Sequence, residues 1–285
     1  AQLFPNTTVI DALAVEGGNT ISQGRAAGAA AITLLTFAMF HSQHRLLLIA
    51  GALVMAGSMV ASGSRGPAIA AVIAVLLAVA FSPGRSRGPR VAVTVVTLLA
   101  SAYLAFAANL VGDRMLTFRD TSAEARRRLW DVGIGLIGSE PLGIGWGRLS
   151  YYLPPGTRLP GVGDREYPHN VLIEVGSEAG VLALLVLAVV LVLAIQGQQR
   201  VSATAVEAAM FAMIIFALIN SLVSGDVGDN RGLWVAVGAA LVTRGTSFRG
   251  GQSKENPAPA NTLPGGVLKG PRSSQLAETK RPCGT

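Results

Sequence analysis

The chain has 285 residues, 51% of them hydrophobic and only 14% charged, a balance that excludes an ordinary soluble domain. The formal charge is +7, yet Arg244, Arg249, Lys254, Lys269, Arg272, Lys280 and Arg281 against Glu255 and Glu278 place +5 of it beyond residue 243. Such a tail, rich in Pro, Gly, Ser, Asn and Thr, predicts a disordered basic segment beside anionic lipid. A nucleic-acid platform would interleave aromatic residues, and none are interleaved here.

Residues 1–25 lack the basic start and apolar core of a signal peptide and read as an extracytoplasmic segment. Because the chain starts at Ala1 rather than Met, further transmembrane helices are expected upstream. Four apolar runs follow within residues 26–110: Ala26–Phe40, Leu46–Ala61, Pro67–Phe81 and Val91–Leu110. Each approaches the roughly 20 residues that cross a bilayer. A more polar stretch, 111–170, reads as a large extracytoplasmic loop. Three more runs, Val171–Ile195, Ala203–Val223 and Leu233–Thr243, fill 171–243, and 244–285 is the tail, expected to be cytoplasmic. The expected fold is all-α: a polytopic membrane helix bundle of about seven transmembrane helices, with an amphipathic interfacial helix in the extracytoplasmic loop. Abundant Ala and Gly suit close helix packing in lipid. The single cysteine, Cys283, excludes an intrachain disulfide and a thiolate metal cluster.

Orientation follows from the arginines. "SPGRSRGPR" (Ser82 to Arg90) is a short basic connection of the kind that faces the cytoplasm. Alternation then makes "HSQHR" and "GQQR" cytoplasmic as well. It places "SGSRG" around Arg65, the 111–170 loop and "SGDVGDNR" on the outer face. Arg65, Arg126, Arg127 and Arg128 thus run against the charge bias, which marks them as functional candidates, although Arg65 also fits a snorkelling side chain at a helix end.

Inside the loop, "TSAEARRRLWDVGIGLIGSEP" predicts a helix capped by Thr121 with Glu124 and ended by Pro141. Leu129, Val132, Ile134, Leu136 and Ile137 form its apolar face, and Trp130 suits the headgroup boundary. "PLGIGWGRLS" alternates Gly143, Gly145 and Gly147; without a preceding strand it predicts a tight turn around Trp146, not a dinucleotide site. At "YPHNVLIEVGSEAG" a helix begins, capped by His169 or Asn170. Asn170, Glu174 and Glu178 follow at i, i+4, i+8, so the plain role of the two acids is to complement the helix dipole. His169, at the positive helix end and near Arg165, should stay neutral and able to accept a proton.

Together, "SGSRGP", "ARRRLWDVGIGLIGSEPLGIGWG" and "YPHNVLIEVGSEAGVLALLVL" resemble, in order and spacing, the superfamily of O-antigen ligases and polymerases, polytopic glycosyltransferases of bacterial envelope polysaccharide. The resemblance covers Gly17 to Val242, the C-terminal part of a longer protein in that family. It implies transfer of a glycan from an undecaprenyl-diphosphate carrier to an acceptor sugar on the outer face of the bacterial inner membrane, without a metal or other cofactor. It implies a catalytic role for His169 and diphosphate binding by Arg65 and Arg126. Arg127 and Arg128 have no fixed counterpart and, with Arg165, Asn170 and Glu178, are possible supporting residues. The expected partners are a lipid-diphosphate glycan, a glycan or lipid-glycan acceptor and membrane lipid, with no nucleic acid. Three alternatives stand: a polymerase with the same chemistry, a transporter or flippase of lipid-linked sugars, and metal-assisted transfer through Asp164, Glu166, Asp226 and Asp229.

Overall fold

A computed structural model describes residues 20–81, 87–107, 121–154, 166–199 and 204–252. The chain divides into two units, Ala1–Ser247 and Phe248–Thr285, and the site lies in the first. All regular structure among the described residues is helical. In chain order the helices are α1 (Thr20–Phe40), α2 (Arg45–Ala61), α3 (Arg65–Phe81), α4 (Arg87–Ala107), α5 (Thr121–Ser139), α6 (Val171–Glu174), α7 (Val181–Gln199), α8 (Ala205–Val223) and α9 (Arg231–Gln252). A short 3-10 turn occupies Leu149–Tyr152, and a π-helical turn, Val175–Ala179, continues α6.

Two helices are long and apolar enough to cross a membrane, over Val181–Gln198 in α7 and Ala205–Val223 in α8. Arg45–Ala61, Arg65–Phe81, Gly88–Leu104 and Arg231–Thr243 are apolar but shorter. Seventeen residues, the length of α2 and of α3, rise only about 25 Å, short of the roughly 30 Å hydrocarbon core. This is consistent with a helical membrane protein, without a count of seven full-length spans.

Two cores share α8. On one side Phe211, Ala212 and Phe216 pack with Ile32 and Leu35 of α1, Met59 of α2 and Ala74 of α3. Gly28 makes this possible: a Cβ there would stand 2.8 Å from Phe216 Cζ and 3.0 Å from Met59 Sδ, so the ring rests on the α1 backbone. On the other side Ile214 and Ala217 pack with Leu187 and Leu191 of α7 and with Leu233 and Val237 of α9. A smaller cluster of Leu129, Leu136, Ile144, Leu149 and Leu153 seats α5 on the turn that follows it.

The helix ends sort into two groups. At one end Arg90 lies 4.1 Å over the Phe40 ring and Gln198 Nε2 donates to Thr243 Oγ1 at 3.0 Å. At the other, Arg25 Nη2 donates to the Ser224 carbonyl at 2.6 Å, Asn170 Nδ2 donates to the Leu222 carbonyl at 3.0 Å, and Gly66 lies against Val223.

The run Val171–Ile195, expected as one span, is broken. Ile144 N and Gly145 N donate to the carbonyls of Ser177 and Glu178 (3.0 and 2.9 Å), and Val181 N donates to the Pro141 carbonyl at 2.9 Å. The turn after α5 thus takes backbone groups that a continuous helix would use internally. Gly180, at φ +91, completes the break: a Cβ would stand 2.7 Å from Leu142 C and Pro141 O. The apolar periodicity of the run carries no trace of this, because the competing partners, Ile144, Gly145 and Pro141, lie 33, 33 and 40 positions away in sequence and are themselves in a turn.

Candidate functional site

Trp130 Nε1 donates to the Pro168 carbonyl at 2.5 Å, which fastens α5 to the "YPHN" segment. One turn further along α5, a Cβ on Gly133 would stand 2.5 Å from Ile173 Cγ2, so the two backbones are in close approach. Arg126, one turn before Trp130, lies on this same face of α5. Its guanidinium acts on His169: burial first, then the Arg126 charge, pushes the imidazole down to about 4, with Asp226 opposing. The sequence attributes a neutral His169 to the helix N-terminus and Arg165; Arg165 lies outside the described residues, and burial is the larger cause.

The backbone around His169 is constrained. Pro168 is fully buried, and His169 has φ +54, the one non-glycine residue at positive φ among the described residues. Histidine, asparagine and aspartate are enriched in this left-handed region, where other side chains cost of order 1 kcal/mol or more. Of the two expected caps it is Asn170 that serves: its Oδ1 accepts from Leu172 N (3.0 Å) and Ile173 N (3.2 Å). The imidazole is therefore not used in capping. Its Nδ1 is buried without a hydrogen-bond partner, and its ring lies 4.4 Å from the Tyr167 ring.

The two acids do not decorate a helix stripe as expected. Glu174 and Glu178 are 5% and 4% exposed, and each holds a loop. Glu174 Oε2 accepts from Val227 N at 3.0 Å, in the loop between α8 and α9. Burial, against that hydrogen bond, drives its carboxyl up to about 8, with Asp226 and Glu178 adding to the rise. Glu178 accepts from Gly147 N at 2.7 Å and Leu149 N at 3.4 Å, and burial raises its pKa as well. Both residues precede the spanning part of α7, and the π turn between them breaks the i, i+4 register.

The remaining predicted residues are dispersed. Arg65 opens α3 at the same end of the bundle, next to Gly66 and its neighbour Val223. Arg127 is exposed, and Arg128 turns to Glu124 at 2.7 Å in an exposed pair, so the carboxylate expected to close a capping box serves Arg128. The Thr121 side chain lies outside the described residues. Gly143, Gly145 and Gly147 all have positive φ, as a tight turn requires. Asp164 lies outside the described residues too, and among those described no group of three or more His, Cys, Asp or Glu side chains is placed to hold a metal ion.

Two residues at this end, Arg25 and Tyr167, carried no chemical role in the sequence reading, and a third, Asp226, entered only as a possible metal ligand. Arg25 reaches Ser224 from the start of α1, Tyr167 packs against His169 with its ring tilted by 56°, and Asp226 opposes Arg126 in setting the His169 charge. The available signals were slight: an arginine just ahead of an apolar run, and two aspartates in the short glycine-containing segment "SGDVGDN".

Residues 50–188 match a family model described as O-Antigen ligase, a stretch that holds Arg65, Arg126 and His169. No significant match to a curated protein or to a solved structure was found. The match, together with the all-helical apolar architecture, fits a membrane protein of the bacterial envelope. Residues 50–188, just under half of the chain, are thus similar to the O-antigen ligase family, consistent with a member of that superfamily.

Proposed function

We propose that this chain transfers a glycan from an undecaprenyl-diphosphate carrier to an acceptor hydroxyl at the extracytoplasmic face of the inner membrane, with His169 as general base. The observation that carries the reading is the convergence of Arg126 and His169: the Trp130 to Pro168 hydrogen bond brings their segments together, and the Arg126 charge acts on the imidazole. In the reaction the acceptor oxygen attacks the anomeric carbon, its proton passes to His169, and the bond from that carbon to the diphosphate breaks. The lipid diphosphate leaves with the bonding electrons, so the configuration inverts. Planar, permanently charged guanidinium groups of Arg126 and Arg65 suit the leaving diphosphate, doing the neutralising that a divalent cation does elsewhere.

An imidazole whose pKa is about 4 is neutral at pH 7 but a weak base. An anionic diphosphate beside Arg126 offsets the guanidinium charge and strengthens it, so the base gains power as the donor binds. Asp226, whose charge already favours the protonated imidazole, stabilises the same ion after proton transfer.

The test is turnover of a lipid-diphosphate glycan by purified protein. His169→Asn keeps a residue that tolerates positive φ while removing the base, and is expected to lower kcat by about 100-fold or more. In the wild type, kcat/KM should stay level from neutral pH to about 5 and fall with an apparent pKa near 4, as His169 in the free enzyme takes up a proton. A variant that keeps most of its turnover, or a wild-type profile without the acid limb, removes the base assignment.

A further inference from the structure

Hydrogen bonds from three elements fasten the end of α8 and the loop after it, and two of them come from the segment that carries His169. Asn170 Nδ2 donates to the Leu222 carbonyl at 3.0 Å, and Glu174 Oε2 accepts from Val227 N at 3.0 Å. From α1, Arg25 Nη2 donates to the Ser224 carbonyl at 2.6 Å, and from α9, Trp234 Nε1 donates to the Val227 carbonyl at 2.8 Å. Val227 is therefore held through both of its backbone groups, by Glu174 on one side and Trp234 on the other. Asn170 and Glu174 stand one helical turn apart, about 6 Å along the segment that begins at His169.

The residue next to this grip is Asp226. Its Oδ1 accepts from Asp229 N at 2.6 Å and its carbonyl accepts from Asn230 Nδ2 at 2.7 Å, so the carboxylate is turned back on its own loop and moves with it. The Asp226 charge acts on His169 and favours the protonated imidazole. Where that charge stands depends on where the loop is pinned, and the pin adjacent to Asp226 in the chain comes from Glu174. Base and counter-charge are thus tied to one short piece of backbone, although 57 positions separate His169 from Asp226 in sequence.

We propose that Glu174 is a positioning residue for the transfer reaction, which by holding Val227 N fixes the Asp226 carboxylate relative to the His169 imidazole. This rests on His169 as the general base and adds the residue that places its counter-charge. When the imidazole takes the acceptor proton it becomes a cation, and a carboxylate already held in place stabilises that cation without reorganising. Glu174 acts through the loop, not on the substrate.

The test is a set of variants assayed as purified protein in nanodiscs with a lipid-diphosphate glycan, alongside hydrogen exchange of the Val227 amide. Glu174→Gln keeps an acceptor for Val227 N, and burial already holds the Glu174 carboxyl neutral at pH 7, so kcat should stay within about threefold of wild type. Glu174→Met fills the same space without the acceptor. It should lower kcat by roughly 10- to 100-fold, with KM for the donor little changed and the Val227 amide exchanging faster. Glu174→Asp keeps the carboxyl but falls one methylene short, so it should fail in the same way, and it takes the place of Glu174→Met if that protein does not fold. The same substitution is then made in an Asp226→Asn background. If Glu174 works by placing Asp226, the further loss there is no more than about twofold. Additive losses, unchanged Val227 exchange, or wild-type kcat in a folded Glu174→Met protein overturn the proposal. Hydrogen exchange reads the contact without turnover and His169→Asn is scored separately, so failure of this assignment and failure of the base assignment are told apart.

Discussion

The bundle of α1, α2, α3 and α8 and the cap formed by α5, its following turn and the α6–π segment are held together by opposite means. In the bundle, small residues and aliphatic side chains pack along helix faces, and buried hydroxyls satisfy themselves locally, as Thr36 does on the Ile32 carbonyl at 2.7 Å. In the cap, backbone meets backbone: Ile144 and Gly145 on Ser177 and Glu178, Val181 on Pro141, and buried carboxylates pinning loops. Side-chain packing can give by a few tenths of an ångström, whereas backbone contacts have no rotamer to change. The residues proposed for chemistry, Arg126 and His169, both sit in the part without slack, which is where a geometry held within about 0.5 Å is needed.

The sharpest way to break this contrast is Gly143→Ala. Gly143 has φ +81, and a Cβ would stand 2.5 Å from the Glu178 carbonyl oxygen and 2.6 Å from Gly180 N. Both obstacles are backbone, so relief requires parting the turn from the π segment. The expected cost is about 3 kcal/mol or more, from strain at positive φ together with overpacking, seen as a large drop in thermal midpoint. Turnover should be lost even in the fraction that stays folded, because the turn sets where α5 holds Arg126. Wild-type behaviour of this variant means the cap is not built on these contacts.

The same contrast explains what could be read from the chain. Apolar runs and breakers placed α2, α3 and α8 within two residues of their observed limits, because for those helices local pattern and tertiary environment agree, whereas α1 begins six residues before its apolar run. The single-span reading of Val171–Ile195 went wrong because its first nine residues are held by donors from the turn after α5, an interaction that hydropathy does not encode. Likewise Glu174 and Glu178 look like helix-terminal acids until the loops they bind are in place. The match over residues 50–188 contains the three motif blocks that carry the resemblance, Ser62 to Pro67 included, whereas Arg25 and Asp226 lie outside it; Arg25 was assigned no role and Asp226 only that of a possible metal ligand. Their contribution comes only from where α1, α8 and α9 end.

A smaller effect separates the two regions by pH. Glu174 has its pKa raised from 4.5 to about 8, so the folded state binds that proton more tightly than the unfolded chain. The resulting stabilisation is complete below about pH 4.5 and is lost as pH rises toward 8, with a slope of at most about 1.4 kcal/mol per unit. The wild-type thermal midpoint should therefore fall between pH 5 and pH 8. Glu174→Gln keeps an acceptor for Val227 N and has no proton to lose, so its midpoint should be flatter across that window. Equal slopes in both proteins place the pH dependence elsewhere.

The smallest expected effect comes from a glycine in the bundle, Gly57→Ala in α2. Gly57 is helical, and a Cβ there meets nothing within 4 Å, so the methyl group costs no packing and removes backbone freedom from the unfolded chain. Helix propensity adds in the same direction, for a gain of about 0.5–1 kcal/mol and a rise of about 2–4 °C in midpoint. Turnover should not change. Against Gly143→Ala this is the same chemical substitution with the opposite sign, decided by whether the neighbouring atoms are open space or backbone. A lower midpoint for Gly57→Ala instead means that another surface seats against this face of α2, where the methyl group then intrudes.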